Sequence, residues 1–549
     1  MTVRPPLLTT DRRLDRGALL RHGQSAPYLA VEAGPGEPHL VRDDLGAAGP
    51  SGPSGPSAAE PGRALACLVH ITDLQLADVQ SPARFEFLNA RFADPRYAEI
   101  IPVQRPQEAL TVHAVDATLR TLGGVRGPAT GLPLQLAVTT GDAIDNAQWN
   151  ELQVFLALFD GGVVSPDSGG PGYEGVQSLD WPGDIFWRPD GPGHGGPDVF
   201  RREFGFPDCP GLLQRALREF SAAGLGLPWL SCFGNHEALT QGVGTQTPGL
   251  ASALIGNLKP ADLPADFDHD RALELFTTRP EAFMAGPTRA VAPDAFRRPI
   301  TRRDFVDAHL RAGSRPFGHG FSERNRLDGT AYYVYDTPAV RFIALDTNCL
   351  AGGAGGCLDR DQVRWLEARL GEVHSAYRGP DGSEIRTGHD DRLVVLFSHH
   401  GTDTLDNTRG GHTGPDGEPL LGAGLLGLLH RFPNVVLWLN GHTHTNAVRL
   451  RRDPSDPARG FWEVTTCALV DWPCQTRVVE LVDHAEYLSI VATMVDHDTP
   501  AAPGTLETSD ELASLHRELA ANVPWDVATL AGRPADRNVE LRIIPPFPL

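Results

Sequence analysis

Five short clusters hold side chains able to bind cations or move protons: Asp73-Leu74-Gln75, Gly141-Asp142-Ala143-Ile144-Asp145-Asn146, Gly234-Asn235-His236-Glu237, His399-His400 and Gly441-His442-Thr443-His444. Each alone is a weak signal, because Gly-Asp is a common turn and a single histidine is more often packing than ligand. Gly-His-Thr-His is stronger. Alternate residues of an extended segment face nearly the same way, so its two imidazoles can address neighbouring positions. Together the clusters supply seven potential oxygen and nitrogen ligands and one spare histidine. That set is large enough for two metal ions sharing a carboxylate.

The elements that must position these groups are legible as apolar runs. Residues 65–71 read LACLVHI and end in Thr72-Asp73. Leu134–Thr140, Trp229–Phe233, Leu393–Phe397 and Val435–Leu439 each lead into one of the other clusters. Val340–Leu345 has the same look but ends in Asp346 without a histidine. Short runs that are apolar throughout, tipped by polar residues, predict strands buried on both faces. Apolar residues at helical spacing predict helices over Gln107–Leu122 and Leu358–Leu370. Strand, polar tip and helix in alternation is the α/β layout, in which ligands sit where strand C-termini meet. His70 lies inside its strand, so a buried, hydrogen-bonded role is expected for it.

In this order the blocks resemble the calcineurin-like metallophosphoesterase family, whose signature runs D-x-H, G-D-x-x-D, G-N-H-D/E, H, G-H-x-H. Four of the five blocks match, spanning residues 73–444. The resemblance, closest to a bacterial branch, implies an α/β fold: a four-layer α/β/β/α sandwich of two mixed β-sheets flanked by helices. It implies a dinuclear site in which Asp142 bridges, Asp73 and His444 hold the first metal, and Asn235, His399 and His442 hold the second. His236 matches the family's non-ligand histidine, which reaches the substrate phosphate or the leaving group. Asn146 is expected to orient its loop, Glu237 to support His236 or a ligand, and His400 to stand behind the ligands.

The departure is Gln75, where the family has histidine. Three readings stand: Gln75 binds the first metal through its carbonyl oxygen, it hydrogen-bonds a metal-bound water, or the first site is weakly occupied. The ligand set suits Mn²⁺, Fe or Zn²⁺, and an amide oxygen in place of an imidazole favours the harder Mn²⁺. The implied reaction is hydrolysis of a phosphoric ester. A bridging hydroxide attacks phosphorus while His236 assists the leaving group. A phosphodiester or nucleotide-like substrate is weakly favoured, because residues 160–210 carry aromatics (Tyr173, Trp181, Phe186, Trp187) that could stack a base, although aromatics in a Gly/Pro-rich loop are more often loop core. A phosphomonoesterase or a non-catalytic scaffold of the same fold is the alternative.

Composition narrows the partners. The 549-residue chain carries a formal charge of −21 and lacks a basic stripe. It is therefore expected to bind a small phosphorylated substrate rather than nucleic acid or anionic membrane. Basic residues are overwhelmingly Arg, with Lys259 a rare lysine. Arg201-Arg202 and Arg302-Arg303 are candidate phosphate contacts, with surface ion pairing the better expectation. The seven cysteines form no CxxC pair, and unpaired thiols are expected, including Cys349 and Cys357. No apolar stretch follows Arg12-Arg13, which predicts a cytoplasmic protein. The oligomeric state is left open. The expected organisation is an N-terminal extension (1–48), a Gly/Pro/Ser linker (49–60), a metallophosphoesterase domain (61–500) with insertions at about 160–210 and 238–330, and a C-terminal extension (501–549) docking on the core.

Overall fold

The computed structural model describes residues 7–47, 62–193, 195–409, 418–525 and 527–549. The linker predicted at 49–60 lies outside the described residues.

The apolar runs become the central strands of two large sheets. In the first, Arg63–Ile71, Leu136–Thr139 and Trp229–Leu230 lie parallel and side by side. Thr476–Asp483, Leu488–Asp496 and Val539–Ile543 extend it antiparallel on the other side, and Leu40–Arg42 closes that edge. In the second, Val340–Ala344, Leu393–Phe397, Val435–Asn440 and Asp456–Thr465 are parallel. Antiparallel Tyr333–Asp336 and Ala447–Asp453 flank them. Leu136–Thr139, Leu393–Phe397 and Val435–Asn440 are buried at every residue, as strands covered on both faces require.

The two sheets face each other across one continuous core. Val69, Ala137 and Leu230 meet Phe342, Val395, Leu437 and Val464 in it. Helices Thr111–Leu122 and Trp149–Asp160 contribute Val115, Leu119, Leu152 and Phe155 to the same core. Behind the second sheet, Ile343, Val394 and Leu396 pack on Leu366 and Leu370 of helix Arg360–Gly371 and on Leu425 and Leu429 of helix Gly422–Leu429. The architecture is thus two mixed sheets with helices outside. Asp359 starts helix Arg360–Gly371 by accepting the Gln362 N–H.

The residues around 160–210 turn their aromatics inward. Trp181 and Phe186 pack with Val176, and Trp187 packs with Phe200 and Phe206. All three are nearly inaccessible, so none of them presents a ring for stacking a base. Lys259, the chain's single lysine, is fully buried and donates to Glu86 at 2.8 Å and to the Ser81 carbonyl. No helix among the described residues is long and apolar enough to cross a membrane.

Candidate metal centre

All five clusters meet at the seam where the parallel strands of both sheets end. The segment after Arg63–Ile71 hydrogen-bonds along the segment after Leu136–Thr139. Asp73 N–H donates to the Gly141 carbonyl, Gln75 N–H to that of Asp142, and Leu76 N–H to that of Ala143. Across the seam, His442 N–H donates to Asp73 Oδ2 at 3.0 Å. Asp73, Gln75, Asp142, His442 and His444 all have positive φ, between 42° and 69°. Left-handed backbone costs free energy at non-glycine residues, and such strain concentrates where side chains must be aimed.

Two carboxylates form the centre. Asp73, Asp142 and His399 bring ligand atoms within 4.8 Å of one another. His399 Nε2 lies 3.1 Å from Asp142 Oδ2 and 3.2 Å from His442 Nδ1. His444 Nε2 lies 3.4 Å from Asp73 Oδ1. Burial opposes ionisation of both aspartates. For Asp142 the nearby His399 and His236 outweigh it, and for Asp73 His444 does, so both carboxyls sit below the usual range. Conversely, Asp142 overcomes burial to push His399 up to about 9, and Asp73 does the same for His444, also to about 9. Burial and the neighbouring His399 push His442 down to about 3.

The far side of each ring decides which nitrogen points inward. His399 Nδ1 donates to the Thr140 carbonyl at 2.8 Å, leaving Nε2 for the centre. His444 Nδ1 is 2.6 Å from Asp471 Oδ2, leaving its Nε2. Asp471 in turn accepts from Arg105 Nε at 2.8 Å. Burial opposes the ionisation of Asp471, yet Arg105 and His444 hold its carboxyl well below the usual range. His400 is different. Its Nδ1 meets Thr347 Oγ1 and its Nε2 the Ala354 carbonyl, each at 2.8 Å. Although it lies near His399 and His442, both of its nitrogens are engaged elsewhere.

The amides complete the set. Asn235 Nδ2 donates to the Gly242 carbonyl at 2.9 Å, and its Oδ1 is buried with no partner. Gln75 Nε2 lies 3.2 Å from His236 Nε2, and its Oε1 is likewise buried with no partner. His236 Nδ1 donates to the Asp145 backbone carbonyl at 2.6 Å. In the neutral ring Nε2 is then the acceptor and the Gln75 amide its donor. Glu237 accepts from the backbone N–H groups of Asp142, Ala143, Ile144 and Gly234, at 2.7–3.2 Å. Its carboxylate therefore fastens the Asp142 loop rather than the His236 ring. Burial and Asp142 push its pKa up to about 7. Asn146 ties the same loop to the Ala83 carbonyl and the Gln241 N–H. His70 is buried between Thr140 and Thr466 hydroxyls.

Gln75, Asp142, Asn235, His236, His442 and His444 line one cleft of about 180 Å³. Its outer wall is the segment Glu99–Val103 with Arg105, Gln241, Val243 and Ala354, none of which the motifs pointed to. Asp471 was missed as well, although it follows an apolar run (467–470) as Asp73 does. Arg201, Arg202, Arg302 and Arg303 are in ion pairs with nearby carboxylates and do not line the cleft. A larger hollow of about 660 Å³ lies elsewhere, walled by Tyr377, Arg378, Arg431 and Pro545–Pro548.

No family model matches this chain, and no curated protein does. Among solved structures it is similar to a dimetal phosphatase from Danio rerio, at 12% identity and a TM-score of 0.33, over 79% of this chain and all of that one.

Proposed function

We propose that the chain is a metal-dependent phosphoric ester hydrolase whose ions are held by Asp73, Gln75, Asp142, Asn235, His399, His442 and His444. The observation that carries this reading is the pair of orphaned amide oxygens, Gln75 Oε1 and Asn235 Oδ1, buried in residues of a cleft also lined by Asp142, whose carboxylate stands with Asp73 and His399 in one group of ligand atoms within 4.8 Å. A buried acceptor without a donor costs about 1–3 kcal/mol. Two of them beside concentrated negative charge fit a cation and little else. The donor set of carboxylate, amide and imidazole suits Mn²⁺, Fe or Zn²⁺, and the oxygen-rich Asp73–Gln75 side favours Mn²⁺.

When bound, two such ions supply positive charge for the phosphoryl oxygens and lower the pKa of water toward neutrality. The chain does the rest. Asp471 and the Thr140 carbonyl hold His444 and His399 with their Nε2 atoms inward. Glu237 fixes the Asp142 loop. Asp145 and Gln75 hold the neutral His236 ring at the cleft, and Nε2 can protonate the departing ester oxygen once it has exchanged the Gln75 amide for a proton. The net reaction consumes one water. Its oxygen and one proton stay with phosphate, and the other proton replaces phosphorus on the alcohol oxygen.

The test is hydrolysis of p-nitrophenyl phosphate and bis(p-nitrophenyl) phosphate by the full chain. Turnover is expected to stop on chelation and to return with Mn²⁺ more fully than with Zn²⁺. His236→Ala should lower the rate by about 10²–10⁴-fold with metal content unchanged. A protein that carries two metals and cleaves neither ester would be a scaffold, not an enzyme.

A further inference from the structure

Arg105 is the only arginine or lysine in the lining of the cleft. Its side chain is 9% exposed. The backbone N–H donates to Glu108 Oε1 and Nε donates to Asp471 Oδ1, both at 2.8 Å. Those two bonds pin the side chain from its root to Nε. The two terminal nitrogens make no hydrogen bond to the described residues, and neither is sealed from solvent. A guanidinium pinned on one edge and open on the other, in a cleft that also holds Asp142, Asp145, His236 and His444, is a preformed anion fork.

We propose that Arg105 grips the substrate's phosphoryl group through Nη1 and Nη2, and that the substrate is a phosphate monoester of a small, uncharged alcohol. The proposal rests on the hydrolase reading above and names its substrate class. A monoester has three non-bridging oxygens, so two can meet the fork while one remains for the ligand face of the cleft. A diester has only two, and the fork would take both. The volume of about 180 Å³ is below the range of ordinary ligand pockets, which suits a small alcohol part. Ile100, Ile101, Val103 and Val243 give the alcohol part an apolar wall. The exposed Glu99 on the rim repels a second phosphate, which disfavours pyrophosphates and polyphosphates.

The experiment uses the full-length Mn²⁺-loaded protein, with steady-state kinetics on p-nitrophenyl phosphate and bis(p-nitrophenyl) phosphate and calorimetric titration with inorganic phosphate. The wild type is expected to prefer the monoester in kcat/KM. Arg105→Met should raise the monoester KM and the phosphate Kd by about 10–100-fold, with two metals still bound. If Arg105→Met sheds metal through Asp471 and His444, Arg105→Lys decides the matter. It keeps a cation beside Asp471 but lacks the fork, and it should still weaken phosphate binding. Wild-type phosphate affinity in the metal-replete variant, or a wild-type preference for the diester, would overturn the proposal while leaving the hydrolase reading intact. A wild type that cleaves neither ester removes both.

Discussion

Asp471 shows how one residue outside the ligand set controls the usable face of another. Its Oδ2 takes the His444 Nδ1 proton at 2.6 Å, and its Oδ1 is neutralised by Arg105. Without it, nothing in the structure selects the tautomer that presents Nε2 toward Asp73. Carboxylates behind metal-binding histidines are typically worth about 10–100-fold in metal affinity. Asp471→Asn is therefore expected to weaken metal binding by that factor, measured by competition with a chromophoric chelator. An unchanged affinity would mean that His444 is held by packing alone. Gln75 makes the complementary point. One end of its amide meets His236 and the other is an orphaned oxygen, so in the proposed site a single side chain would serve both the acid–base residue and the ligand set.

At the scale of elements, the site is built from strand ends rather than strands. The tips at 72–76, 140–146, 234–237, 398–401 and 440–444 close over one another so tightly that their glycines have no room for a side chain. A Cβ at Gly234 would fall on Asp142 Oδ1 and its backbone nitrogen and lie 2.7 Å from Glu237 Oε2. Gly234→Ala must push the Asp142 loop away from its carboxylate anchor. The expected result is a loss of about 1–3 kcal/mol, read as a lower thermal midpoint, together with reduced metal content. If both stay at wild-type values, the tips are looser than their hydrogen bonds imply. Small residues matter behind the sheet for the same reason. Helix Thr111–Leu122 meets helix Ser509–Ala520 through Ala114, Ala117 and Ala513. That contact, with strand Val539–Ile543, ties the end of the chain to the first sheet.

Across the whole molecule, histidines buried away from the centre set a pH limit. Burial pushes His113 and His374 down to about 4 and His516 to about 3. In the unfolded chain each would titrate near ~6.5. Their folded values are depressed, so between pH 6.5 and 4 the unfolded state binds more protons than the folded one, and stability falls as pH falls. Each histidine contributes a slope of up to about 1.4 kcal/mol per pH unit in that window. Urea midpoints of the metal-free chain should decline steadily from pH 6.5 to 4.5. His374→Gln should flatten the decline, because His374 Nδ1 bonds the Leu370 carbonyl and its Nε2 accepts the Asn434 N–H. A midpoint that is flat across the window would show that these rings titrate normally.

The motif residues and their order were legible because the chemistry sits next to the elements that carry it. A polar tip on an apolar run can be seen without knowing the fold, and the run at 65–71 did become a central strand of the first sheet while those at 393–397 and 435–439 became neighbouring buried strands of the second. What only the tertiary structure decided lies in contacts between distant segments. Arg105 meets Asp471 across 366 positions, and Asp73 meets His442 across 369. Which imidazole nitrogen faces inward depends on a partner 259 positions away for His399 and 27 away for His444. The engagement of His400 on both sides, with Thr347 and Ala354, is likewise a tertiary contact. Local patterns record which face of an element is apolar, but a single fixed charge at the wall of a cleft leaves no period in the chain. Its partner becomes visible only when the two sheets are brought together.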